Sequence, residues 1–286
     1  YGYESDTIFN ITLIAGNVVV QDVQLIPLGS NLLGQVIEQG SLNPIANANV
    51  LISNGQFTTT FLTDASGNFN LPNFIDGQYN ISIGRWGYQT TCFSNHAIST
   101  ANNTNVYELK KGIYDDFSFD FAWTVSGNVS SGDWEKGVPV ATIFAGGLSN
   151  PGFDVLSDCG TEAYVTGNGG GAGGDDDIDG GVTILTSPIF DLSTYTNPYI
   201  YFDRWFFNAG SNEDDSLIIT LSNGIDSKVI DFATVDDPDL GQWATKVIKV
   251  TDFVSLTNNI TLTIIAMDVN GGDIVEAGFD NFFVNN

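Results

Sequence analysis

The residues of this chain best suited to chemistry are carboxylates crowded behind a glycine run. Between Gly169 and Gly181, four acids (Asp175, Asp176, Asp177 and Asp179) follow a string of glycines. Carboxylates packed this closely repel one another, and a folded loop that holds them needs open solvent or a cation. Asp175, Asp177 and Asp179 alternate, a spacing from which oxygens converge on calcium, and Gly180-Gly181 permits the sharp turn that follows. The run is not an EF-hand, because no bidentate Glu stands at the twelfth position and no helical pattern flanks it. The alternative reading is an acidic loop held in water. A phosphate cradle is excluded: no Lys, Ser or Thr follows in the required spacing, and aspartates occupy the place of the phosphate.

Other chemistries find less support. His96 is the only histidine, it lies in a polar stretch, and no Gly-x-Ser-x-Gly motif accompanies it, so a Ser-His-Asp triad has no basis. Acids are plentiful enough for a glycosidase pair, yet no spacing singles one out. Cys92 and Cys159 are the only cysteines and fit either one disulfide or two free thiols. Of the tryptophans, Trp123 and Trp205 sit among other aromatics and read as core. Trp134, between Asp133 and Glu135, is the candidate for an exposed ring that stacks on a ligand.

The composition sets limits on partners. Thirty-four Asp and Glu against eight Lys and Arg leave a formal net charge of −26. Such a polyanion repels nucleic acid and anionic lipid, so no nucleic-acid partner is expected. No run of about 18 apolar residues exists, which argues against membrane insertion. No basic segment followed by an apolar one opens the chain, so it reads as a mature or excised piece. A hydrophobic content of 42% over 286 residues suffices for two cored domains.

The elements that must position these residues are strands. Short runs such as Asn49-Val50-Leu51-Ile52, Tyr79-Asn80-Ile81-Ser82-Ile83 and Leu217-Ile218-Ile219-Thr220-Leu221 alternate with Asn, Gly, Asp and Ser turns. Helical periodicity is nearly absent, and the pattern predicts an all-β protein. An internal repeat sets the boundaries. Gly2-Tyr3, a Gly16-Asn17 turn and a strand ending at Leu25 recur as Gly87-Tyr88, an Ala101-Asn102 turn and a strand ending at Leu109, an offset of roughly 85 residues. Residues 1–28 are therefore expected to be the last two strands of a module whose front half is missing, residues 29–112 a complete copy, and residues 113–286 a different module.

The complete copy carries Asn43-Pro44-Ile45-Ala46-Asn47-Ala48-Asn49-Val50, Thr63-Asp64-Ala65-Ser66-Gly67-Asn68-Phe69, Gly77-Gln78-Tyr79 and Gly87-Tyr88. This succession resembles the carboxypeptidase regulatory-like domain, also called the collagen-adhesin B-type or transthyretin-like fold, and implies a seven-strand Ig-like sandwich that serves as a spacer. The last module carries Trp134-Glu135-Lys136-Gly137-Val138-Pro139, then Asp177-Ile178-Asp179-Gly180-Gly181, Leu185-Thr186-Ser187-Pro188 and Gln242-Trp243, and closes on Gly278-Phe279-Asp280-Asn281-Phe282. That series resembles the MAM-like and cleaved-adhesin-like β jelly rolls of secreted Bacteroidota-type proteins.

The resemblance implies more about sites. In a jelly roll the first and last strands are neighbours, so Asp115 and Asp116 can meet Glu276 and Asp280. In related modules calcium staples that seam, which makes Asp116, Glu276 and Asp280 metal candidates beside Asp175, Asp177 and Asp179. The alternative is surface charge at strand ends. An extracellular setting favours a Cys92–Cys159 disulfide, which would lock the two modules together, over two separate buried thiols. The expected function is non-catalytic adhesion or substrate anchoring outside the cell or at its surface, with calcium as cofactor and an extracellular protein or glycan as partner. Two alternatives are the accessory C-terminal region of a secreted peptidase and a structural filament subunit that pairs with copies of itself through unpaired strand edges in residues 1–28.

Overall fold

The computed structural model describes all residues except Tyr1, Ser5, Leu13, Asn17, Pro27, Leu28, Asn102 to Thr104, Ser211 to Glu213, Asn270 and Gly271. Two compact units emerge. The first comprises residues 1–83 and 92–109, the second 84–91 and 110–286. The described residues are strands and loops, with one short 3-10 turn at Val250–Asp252. Among them no helix is long and apolar enough to cross a membrane.

The first unit is a seven-strand sandwich. Its strands are β1 (Ser30–Glu38), β2 (Asn49–Ser53), β3 (Thr58–Leu62), β4 (Asn68–Phe74), β5 (Gly77–Gly84), β6 (Thr91–Ile98) and β7 (Asn105–Leu109). One sheet has the order β4-β1-β7 and the other β3-β2-β5-β6. β7 runs parallel to β1, while β4 and β1 are antiparallel. Period-two alternation sends Tyr79, Ile81 and Ile83 of β5 inward against Leu32, Val36, Val50 and Ile52, all nearly solvent-free. The hairpin before β4 is built by Asp64, whose Oδ1 accepts from the amides of Ser66 and Asn68, each at 2.8 Å. Gly67 takes φ +70 there, and a Cβ would meet the Val36 carbonyl at 2.5 Å, so only glycine fits.

The described residues of 1–28 do not form the expected strands. The described residues show one isolated bridge position, at Tyr3, and a backbone bond from Glu4 N to Ile26 O at 2.8 Å. Phe9, Val18 and Val20 are 76%, 90% and 78% exposed. A strand is stable only with a ladder partner and a covered apolar face, and the described residues of this stretch show neither. Asn17 and Asn102, expected in the repeat's turns, lie outside the described residues.

The second unit is a jelly-roll sandwich. Its strands are β8 (Ile113–Asp115), β9 (Thr124–Gly127), β10 (Trp134–Gly137), β11 (Thr142–Phe144), β12 (Gly147–Leu148), β13 (Ala163–Thr166), β14 (Gly171–Ala172), β15 (Gly181–Thr186), β16 (Tyr199–Asn208), β17 (Ser216–Ser222), β18 (Ser227–Ala233), β19 (Ala244–Lys249), β20 (Thr261–Asp268) and β21 (Val275–Asn285). One main sheet runs β10-β13-β21-β16-β19, with β8 also on β21, and the other runs β18-β17-β20-β15-β9. Between them lies an aromatic and aliphatic core in which Trp123 touches the rings of Phe117, Phe279 and Phe282. The loop Gly84–Thr91 belongs to this unit. The Trp86 ring lies against Phe121, Trp123, Phe190 and Phe282, and its Nε1 donates to the Ile189 carbonyl at 2.8 Å.

Candidate functional site

The site lies on the outer face of the sheet centred on β21. β8 pairs antiparallel with β21, Phe282 opposite Asp115 and Phe283 opposite Tyr114. The first and last strands of the unit are thus neighbours. β21 changes parity partway along. Its register with β16 shifts between Tyr201 and Asp203, and Asn281 sits at φ +51. An extra residue of this kind is a β-bulge, and Asn tolerates the left-handed conformation better than most residues. Phe279 and Phe282 both face the core as a result, while Asp280 and Asn281 stand together on the outer face.

Onto Asp280 folds the loop between β12 and β13. Carboxylate oxygens of Asp154, Asp158 and Asp280 all lie within 4.8 Å of one another. Asp116 joins them electrostatically, its charge acting on Asp158 and feeling that of Asp154. No hydrogen-bond donor in good geometry reaches Oδ2 of Asp116 or either carboxylate oxygen of Asp154 and Asp158. Burial pushes all four acids up, Asp158 to about 8; neighbouring carboxylates add to this at Asp116, Asp158 and Asp280, while a hydrogen bond with Asp280 lowers Asp154. The donor-less oxygens of Asp116, Asp154 and Asp158, with Asp280 beside them, are the hard-ligand set that a divalent cation satisfies. Asp116, Asp154, Asp158 and Asp280 therefore fit calcium, which would supply charge neutralisation and cross-linking there.

Several predicted site residues go elsewhere. Asp175, Asp177 and Asp179 do not converge. Asp175 Oδ2 accepts the Ala172 amide at 2.9 Å, and Asp176 Oδ2 accepts that of Gly169 at 2.6 Å, so the glycine run uses its own acids to tie its turns. Asp177 turns inward, and burial followed by Asp179 raises it to about 6. Glu276 does not join Asp280. They stand four positions apart along the strand, about 13 Å at the rise of a β-strand. Glu276 instead accepts from Thr142 Oγ1 at 2.9 Å and Thr166 Oγ1 at 3.3 Å, and burial, then Asp177, pushes it up to about 9. Trp134 is no exposed platform. β10 pairs with β13 and points the ring into the core, leaving it 3% exposed. Cys92 and Cys159 are joined in one disulfide. Sequence reasoning missed Asp154 and Asp158, which stand in an ordinary Gly, Pro and Ser loop. Only the path of that loop across the sheet shows their use.

Beside the four acids the outer face opens into a groove of about 600 Å³ lined by Tyr114, Phe283, Asp203, Thr245, Asn281, Ser157, Gln89 and Lys110. Tyr114 meets Phe283 edge-on at 5.9 Å, and Tyr201 stacks flat on Phe283 at 4.4 Å. Asn281 Nδ2 bridges Asp203 Oδ2 at 2.9 Å and Ser157 Oγ at 3.1 Å, and Thr245 Oγ1 donates to Asp203. The groove thus combines ring faces with fixed amide, hydroxyl and carboxylate groups.

Residues 31–109 match the family model of the carboxypeptidase regulatory-like domain. No curated protein matches the chain. Among solved structures, the chain is similar to the K1 cleaved adhesin domain of Lys-gingipain from Porphyromonas gingivalis W83, with 12% identity and a TM-score of 0.38 over 61% of this chain and 98% of that one. It is similar to a carbohydrate-binding module from the β-sandwich superfamily, with 8% identity and a TM-score of 0.40 over 90% and 98%. A family 11 carbohydrate-binding module of a cellulosomal cellulase from Clostridium thermocellum shares 14% identity and a TM-score of 0.32 over 59% and 91%.

Proposed function

We propose that this chain is a non-catalytic adhesion or anchoring segment of an extracellular protein, in which the second unit holds a glycan chain and a calcium ion stabilises the sheet that carries it. The observation that supports this most is the groove of Tyr114, Phe283, Asp203 and Asn281 beside the four acids, two of them buried and two half-buried. Aromatic faces pack against the C–H faces of sugar rings, while fixed amides and carboxylates exchange hydrogen bonds with hydroxyls. Calcium belongs in the reading because Oδ2 of Asp116 and the carboxylate oxygens of Asp154 and Asp158 lack donors beside Asp280. The test is a glycan array probed with the whole chain in calcium, followed by titration of any captured oligosaccharide. Loss of capture in Tyr114→Ala supports the groove, whereas capture unaffected by that change, or no capture at all, counts against it.

A second reading has its own observation. Phe9, Ile14, Val18 and Val20 are exposed apolar side chains within one short stretch. Such a stretch favours pairing with further copies of the chain. Light scattering across a wide concentration range tests this, and a monomer throughout would remove it.

A further inference from the structure

The four acids and the groove are made of the same short stretches of chain. Tyr114 lies two residues before Asp116, Ser157 one before Asp158, and Asn281 one after Asp280. The charge of Asp203 on the groove floor reaches Asp158. We propose that a divalent cation held by Asp116, Asp154, Asp158 and Asp280 assembles the groove wall, so that the groove exists in binding form only in the cation-loaded protein. This rests on the reading of the groove as a glycan site and adds how that site is controlled.

The stretch from Phe153 to Gly160 has no strand of its own, and Leu156 is 94% exposed. Two polar bonds tie it to β21: Val155 N donates to Asp280 Oδ2 at 3.3 Å, and Asn281 Nδ2 donates to Ser157 Oγ at 3.1 Å. Repulsion among the charges of Asp116, Asp154 and Asp158 opposes them. A cation reverses the sign of that interaction. It draws the loop, β21 and β8 onto one point and seats Ser157, Asn281 and Tyr114 in their places along the wall. The need for a cation does not rest on the crowding alone. Asp116 is 1% exposed and outside the convergent trio, yet its Oδ2 has no donor and its charge couples to Asp154 and Asp158.

The test is amide hydrogen exchange by mass spectrometry on the whole chain, in calcium chloride and in a chelator, with the glycan array run in both. Calcium is expected to slow exchange over residues 153–160 and 281–285 by about tenfold or more, and Asp158→Asn to abolish that response. The chelator comparison uses the unaltered chain, so a folding defect in the variant leaves the test intact. Unchanged exchange at calcium concentrations that saturate the protein by calorimetry, or no calcium uptake, would overturn the proposal. Equal glycan capture in both conditions sinks the coupling and leaves the glycan reading standing. Calcium-dependent protection with no glycan captured in either condition supports the coupling and sinks the glycan reading.

Discussion

Asp280 and Asn281 face the same side of β21 although they are adjacent in a strand, because Asn281 takes φ +51 and forms a bulge. Neighbours in a regular strand would point to opposite faces. The bulge places a buried carboxylate for the acid cluster and an amide for the groove at one spot.

Calcium is expected to raise the melting temperature of the chain. At about 100 times its Kd, a ligand that binds only the native state adds roughly 2.7 kcal/mol. For a unit of this size that is roughly 5–10 °C. Scanning calorimetry with calcium or chelator checks it, and Asp158→Asn or Asp280→Asn should remove the shift.

Trp134 and Tyr114 should behave oppositely. Trp134→Ala empties a core position and should cost about 3–5 kcal/mol in urea unfolding, with groove affinity unchanged in the folded fraction. Tyr114→Ala removes a half-buried edge-on ring, costs about 1 kcal/mol of stability, and should weaken groove binding by about tenfold.

Glu276 should make stability fall as pH rises. Its ordinary value of 4.5 is pushed up to about 9 in the fold. Between those values the native chain holds a proton that the unfolded chain has released, so the contribution is present below the lower value and is lost toward the upper one. In chelator, Glu276→Gln should flatten this dependence by on the order of 1 kcal/mol per pH unit. The amide keeps a carbonyl acceptor for Thr142 or Thr166. Urea midpoints from pH 5 to pH 9 measure it, and parallel curves for the two proteins would reject the assignment.

Removing the disulfide should cost on the order of 4 kcal/mol, the loop-closure value for a ring of this length. Thermal melts of the Cys92→Ser, Cys159→Ser double variant against the oxidised chain measure the loss. Equal melting temperatures would show that the bond does not constrain the unfolded ensemble.

Much of this protein was legible in the chain itself. Tyr79, Ile81 and Ile83 alternate with polar neighbours, and such alternation can bury one face only as a strand, so the all-β class followed from local pattern, while the seven-strand sandwich followed from the resemblance to the carboxypeptidase regulatory-like domain. Asp116 and Asp280 could be paired by topology, since the first and last strands of a jelly roll adjoin. The site's other half could not. Asp154 and Asp158 acquire their role from a loop that crosses β21, and Glu276 leaves the group because four strand positions carry it out of reach. Trp134 reads as exposed from its charged neighbours and is buried by the pairing of β10 with β13. Side-chain periodicity is a property of a few consecutive residues, so the sequence alone determined strands and faces. Which carboxylates come within reach of one another, as Asp154 and Asp280 do, depends on distances between segments as much as a hundred residues or more apart, and only the packed sheet decides those.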